Sequence, residues 1–160
     1  MHDPYNSAGT ALLLCRVSHP ALPAPRSGVL EGGGDGDEVA LLDGDPMDLD
    51  RPLLRTGERV ALAEAQLLCP VLPSKIVAVG SNYHDHTVEM GKPIPKEPVL
   101  FMKPPSALLG PGGAIARPPG YARVDYEGEL ALVIGRPMHR VPEERTLECL
   151  RGYTALNDVT

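Results

Sequence analysis

The chain has 160 residues and, with 15 Lys and Arg against 21 Asp and Glu, a net charge of -6, a balance that repels phosphate backbones and excludes nucleic acid as a natural partner. One Phe, five Tyr and no Trp leave the interior to Leu, Val, Ala and Ile, so no aromatic stacking platform is available. Cys15, Cys69 and Cys149 are odd in number and far apart, which indicates neither a disulfide framework nor a zinc site and fits a reducing cytosol.

The N-terminal stretch Met1 to Thr10 carries no Lys or Arg, and the apolar run Ala11 to Cys15 is too short for a signal peptide. No run reaches transmembrane length, so a soluble, cytoplasmic protein without membrane contact is expected. Ala11 to Val17 reads as a strand and His19 to Pro25, with three prolines, as a rigid loop. Gly28 to Glu31, a glycine-rich turn from Gly32 to Asp37, and Glu38 to Leu42 predict a hairpin. Asp43, Asp45, Asp48 and Asp50 resemble a calcium loop, but Met47 takes a ligand position and Asp48 the required glycine, so a solvated loop is predicted. Arg59 to Leu62 and Gln66 to Cys69 are short strands that close a small all-β module over residues 1–70.

Residues 70–74, with two prolines, read as a linker. Lys75 to Gly80 has the length and composition of a buried strand. His84 to Met90 predicts a short helix stopped by Gly91, on which His86 and Glu89 share a face. A carboxylate there can orient an imidazole and favour its protonated form, as a general base requires, or the two form an ordinary surface ion pair. Val99 to Lys103 is a further strand, and frequent Pro and Gly turns follow it.

Arg123 to Ile134 reads as one strand ended by Gly135, Arg136 and Pro137. Strand alternation puts Glu127 and Glu129 on one face and Tyr126, Leu130 and Leu132 on the other. Two carboxylates on one face suit either a solvated outer face or, if buried, a hard divalent cation. Pro142 opens a predicted helix over Glu143 to Leu150, and Gly152 to Thr160 is the last strand, with Asp158 at its end.

The ordered motifs Pro73 to Tyr83, His86 to Met90, Glu97 to Pro104, Val124 to Leu130 and Gly152 to Thr160 resemble the fumarylacetoacetate hydrolase family. The resemblance implies a mainly β fold with short helices. Its catalytic part, residues 71–160, would be an incomplete mixed β-sandwich roll preceded by the small β module. It also implies a site for Mg²⁺ or Mn²⁺, or for Ca²⁺, with Glu127, Glu129 and Asp158 as carboxylate ligands, and a catalytic group of His86, Glu89 and Lys103. The expected activity is metal-dependent hydrolysis or lysis of C–C bonds in 2-oxo or 1,3-diketo acids, of acylpyruvate hydrolase or oxaloacetate decarboxylase type. A 2-hydroxyhepta-2,4-diene-1,7-dioate isomerase of aromatic catabolism is the alternative. A homodimer is a family expectation. Family members continue past the third ligand with an Ala-Arg-Asp run and closing strands, whereas this sequence stops at Thr160, which reads as a truncated product. An inactive remnant that keeps the sheet without catalysis is the competing reading.

Overall fold

The structure, a computed structural model, describes residues 11–32 and 36–160. The Met1 to Thr10 stretch and the centre of the glycine-rich turn lie outside these residues. Two compact units are present, one formed by residues up to Val71 with Gly110–Thr160 and the other by Leu72–Leu109.

In the first unit, β1 (Leu14–Ser18), β2 (Arg26–Glu31), β3 (Glu38–Asp43), β4 (Leu54–Ala61) and β5 (Gln66–Leu68) form an antiparallel sheet in the order β4-β3-β2-β1-β5. The predicted β2–β3 hairpin is present. β3 has neighbours on both sides, and its four inner residues are all buried. Val39 and Leu41 pack with Val17 and Val60 on one face, while Leu42 packs with Val29 and Leu53 on the other. A strand apolar on both faces is what a sheet covered on both sides requires.

β4 is longer than expected because the ladder with β3 shifts between Ala40 and Leu42. Three residues of β4, Thr56 to Glu58, stand opposite one of β3, and Gly57 takes φ 88°, a left-handed conformation open to glycine at no steric cost. Thr56 Oγ1 donates to the Leu41 carbonyl and accepts the Glu58 N–H, which satisfies the displaced backbone. Arg55 and Arg59, on either side of this bulge, both bind Glu31, Arg59 Nη1 at 2.6 Å from Oε2.

The Arg55 hydrogen bond, helped by Arg59, holds the Glu31 carboxyl below its ordinary value of 4.5 against the opposing effect of burial. A lowered folded-state value stabilises the fold above the unfolded value and loses that contribution as pH falls through the folded one. Melting temperature should therefore drop on acidification below about 4.5, and Glu31→Gln should flatten that dependence. An unchanged acid profile in the variant would remove Glu31 from the account.

The acidic loop after β3 is more than a solvated loop. Asp45 and Asp48 accept the N–H groups of Met47 and Asp50 in tight local turns. Asp50 Oδ1 accepts from Arg136 Nε at 3.0 Å and Nη2 at 2.8 Å, and the Leu49 N–H donates to the Gly135 carbonyl at 3.0 Å. This loop thus clasps the far end of a second hairpin, β8 (Gly128–Ile134) with β9 (Leu150–Asn157). A Cβ at Gly135 would meet the Met47 carbonyl oxygen at 2.7 Å, Leu49 Cγ at 2.8 Å and Arg151 Cβ at 3.0 Å. Because the nearest of these atoms is backbone, Gly135→Ala is expected to destabilise by about 1–3 kcal/mol in urea unfolding. A midpoint equal to that of the parent chain would show the clasp to be loose.

The helix expected over Glu143 to Leu150 is present as Glu143–Cys149, wound as a 3-10 helix. The Thr146 hydroxyl bonds the Glu143 carbonyl at 2.8 Å and Arg145 pairs with Glu148, local bonds that favour the tighter winding. The strand expected over Arg123 to Ile134 is regular only from Gly128.

In the second unit, β6 (Ile76–Gly80) pairs antiparallel with β7 (Val99–Lys103), and α1 (His84–Glu89) lies between them in sequence. β6 is not the buried strand its composition suggests: Val77 and Val79 are exposed, as are Leu100 and Met102 opposite them. A two-stranded sheet has too little surface to cover its own faces.

Candidate metal centre

The β8–β9 register fixes where the acidic residues lie. Gly128 pairs with Asn157 and Glu129 with Leu156. The pairing continues beyond the regular ladder: Asp125 and Thr160 exchange two backbone hydrogen bonds, of 2.7 and 3.1 Å, and the Asp158 N–H donates to the Glu127 carbonyl at 2.7 Å. Asp158 therefore stands opposite Glu127. Directly opposed residues of an antiparallel pair share a face, so Glu127, Glu129 and Asp158 lie on the same side of the hairpin.

That face is the less exposed one. Glu127, Glu129, Ala131 and Val133 are half-buried, and Asp158 is only 9% exposed. The apolar side faces outward instead, with Tyr126 86% exposed, Tyr153 76% and Leu130 64%. A solvated acidic face would show the opposite pattern. Like charges on a half-buried face repel and are costly to desolvate, which favours cation uptake. As placed, the side chains do not converge: among the described residues, no group of three or more His, Cys, Asp or Glu is gathered closely enough to hold a metal ion. The donor chemistry, three hard oxygen ligands on one face, nevertheless fits Mg²⁺ or Mn²⁺.

The other expected catalytic residues belong to the second unit. His86 Nδ1 lies 3.9 Å from Glu89 Oε2 on α1, too long for a hydrogen bond, with both side chains largely in water. Lys103 ends β7 with its Nζ 5.9 Å from the centre of the Phe101 ring, at the outer reach of a cation–π contact. Thr87, between His86 and Val88, is buried and returns its hydroxyl to the Tyr83 carbonyl at 3.1 Å, which ties down the helix.

Two neighbours of the carboxylates were not singled out from the sequence. Arg123 Nε contacts Asp125 Oδ2 at 2.7 Å, and Asn157 Oδ1 accepts the Glu127 N–H at 3.0 Å. A short polar side chain at a strand end, able to bond backbone in place of a ladder partner, was the signal for Asn157.

The three cysteines are free, and among the described residues no helix is long and apolar enough to cross a membrane. Residues 13–70 match the family described as Rv2993c-like, N-terminal. An uncharacterized protein of Archaeoglobus fulgidus is 49% identical over 108 residues, 68% of this chain and 43% of its own length. The oxaloacetate tautomerase fahd2, mitochondrial, of Xenopus laevis is 34% identical over 171 residues, 96% of this chain and 54% of that protein. The crystal structure of 2-hydroxyhepta-2,4-diene-1,7-dioate isomerase from Mycobacterium marinum superimposes with a TM-score of 0.79 at 33% identity, covering 94% of this chain and 55% of the other. The chain spans about half the length of the relatives it matches. The family described as Fumarylacetoacetate (FAA) hydrolase C-terminal matches residues 75–160, more than half of the sequence, and the chain therefore belongs to the fumarylacetoacetate hydrolase family.

Proposed function

We propose that the chain provides the metal-ligating part of an enzyme acting on 2-oxo or 1,3-diketo acids, cleaving a C–C bond by hydrolysis or decarboxylation. The observation that carries this reading is the register that sets Glu127, Glu129 and Asp158 on one half-buried face. These three residues would hold Mg²⁺ or Mn²⁺. With these ligands holding it, the ion would supply Lewis acidity toward a substrate carbonyl oxygen. His86 would take a proton at an imidazole nitrogen, from water or from substrate carbon, with Glu89 orienting the ring. Lys103 would offer its ammonium to a substrate carboxylate.

Isomerisation is the second reading, favoured by the names of the relatives, an oxaloacetate tautomerase and a dienedioate isomerase. Both readings use the same ligands and the same proton acceptor, and differ in whether water attacks.

Titration calorimetry with Mg²⁺ and oxalate, which presents two adjacent carboxylate groups as a 2-oxo acid enolate would present its oxygens, tests the shared part. Oxalate should bind only when Mg²⁺ is present. A folded chain that binds neither would overturn the proposal. Product analysis on an acylpyruvate and on oxaloacetate then separates cleavage from tautomer exchange.

A further inference from the structure

Asp125 extends the carboxylate face by one rung. It exchanges two backbone hydrogen bonds with Thr160, in register with Glu127 opposite Asp158, and stands two residues from Glu127 on the same side of the strand. Exposure alternates accordingly, with Asp125, Glu127 and Glu129 half-buried and Val124, Tyr126 and Gly128 exposed. A cation holds Asp125 in place: Arg123 Nε lies 2.9 Å from its Oδ1 and 2.7 Å from its Oδ2. Both contacts use Nε, and with the side chain 83% exposed the Nη edge of the guanidinium is turned to solvent. A guanidinium fully engaged by one carboxylate meets it with two N–H groups in parallel, so this pairing leaves the two-pronged edge for another anion.

We infer that Arg123 is a specificity-determining residue, anchored by Asp125 at the end of the carboxylate face, whose guanidinium receives the second carboxylate of a 2-oxo dicarboxylate substrate. This rests on the metal reading proposed above and narrows its substrate class. The Asp125 rung lies about 7 Å along the strand from the Glu127 rung, a span that the short carbon chain of such an acid covers. A second carboxylate arriving on so acidic a face meets like charge unless a cation receives it, and Arg123 is placed to do so. Arg suits the task better than Lys, because its donors lie fixed in a plane that matches a carboxylate.

Titration calorimetry of the full chain at saturating Mg²⁺ tests this with two stable probes, oxalylglycine and N-ethyloxamate. They share a chelating oxalyl head and differ only by a carboxylate in place of a terminal methyl. Oxalylglycine should bind at least about tenfold more tightly. Arg123→Gln should bring oxalylglycine down to the affinity of N-ethyloxamate without weakening the binding of Mg²⁺ or of N-ethyloxamate. Arg123→Lys, which keeps the charge but not the fork, should retain only part of the preference, and it carries the test should the glutamine variant not fold. Equal affinities of the parent chain for the two probes, or a preference that survives Arg123→Gln or is undiminished in Arg123→Lys, would overturn this inference alone. Failure of the folded parent chain to bind either probe with Mg²⁺ would overturn the metal reading and this inference with it.

Discussion

Glu127→Gln is expected to weaken Mg²⁺ or Mn²⁺ binding by at least about 100-fold, because loss of a ligand should exceed the 10–100-fold cost of disturbing a ligand's neighbours. The amide is close in shape to the carboxylate but lacks its charge, so the fold should survive. Its metal-free thermal stability should equal or exceed that of the parent chain, since one of three mutually repelling charges on a half-buried face is gone. The combination of lost affinity and retained stability separates a ligand from a structural residue. Calorimetry and thermal melts on the same sample measure both, and metal affinity equal to that of the parent chain would remove Glu127 from the site. Glu129→Gln and Asp158→Asn should behave alike, with Asp158, the most buried of the three, showing the larger gain in metal-free stability.

Leu41→Ala is expected to cost about 2–5 kcal/mol of stability, the largest loss of fold from any single truncation considered. Leu41 is fully buried in β3, an interior strand of the five-stranded sheet, packed with Val17, Val39 and Val60. Strand neighbours on both sides restrain the backbone, so the cavity can close only partly. Urea unfolding followed by circular dichroism measures the change. A loss under about 1 kcal/mol would mean that this sheet repacks freely and does not anchor the clasp on Gly135.

Most of the strands were legible in the sequence because each is an apolar run between strong breakers. Val39 to Leu42, between Asp37 and Asp43, and Ile76 to Val79, between the Pro73-Ser74 turn signal and Gly80, are examples. The burial of those strands was not legible. Ile76 to Val79 has the composition of a covered strand, yet among the described residues it pairs only with β7, and Val77 and Val79 are exposed. Local composition reports what a face requires, whereas coverage depends on what packs against it. The carboxylate face inverts the same lesson: Glu127 and Glu129 suited a wetted surface by residue type, and only the pairing with β9 shows that they lie on the less exposed side.

Alternation along one strand sufficed to place Glu127 beside Glu129, since side-chain direction follows from backbone geometry alone. Placing Asp158 opposite Glu127 required the register, which no pattern in the 30 or so intervening residues specifies. The bulge at Gly57 escaped for a related reason. It is set by bonds from Thr56 to the neighbouring strand, and these become visible only once β3 and β4 are paired. The structural use of Asp50 depends likewise on Arg136, distant in sequence but adjacent across the clasp.

Glu127, Glu129 and Asp158 are proposed to bind one hard divalent ion. Anomalous diffraction from crystals of the chain grown with Mn²⁺ tests it most directly. One peak is expected, with carboxylate oxygens of all three residues at about 2–2.5 Å, the range of hard-cation coordination. A peak that lacks any of the three, or ordered Mn²⁺ bound elsewhere with this face empty, would contradict it.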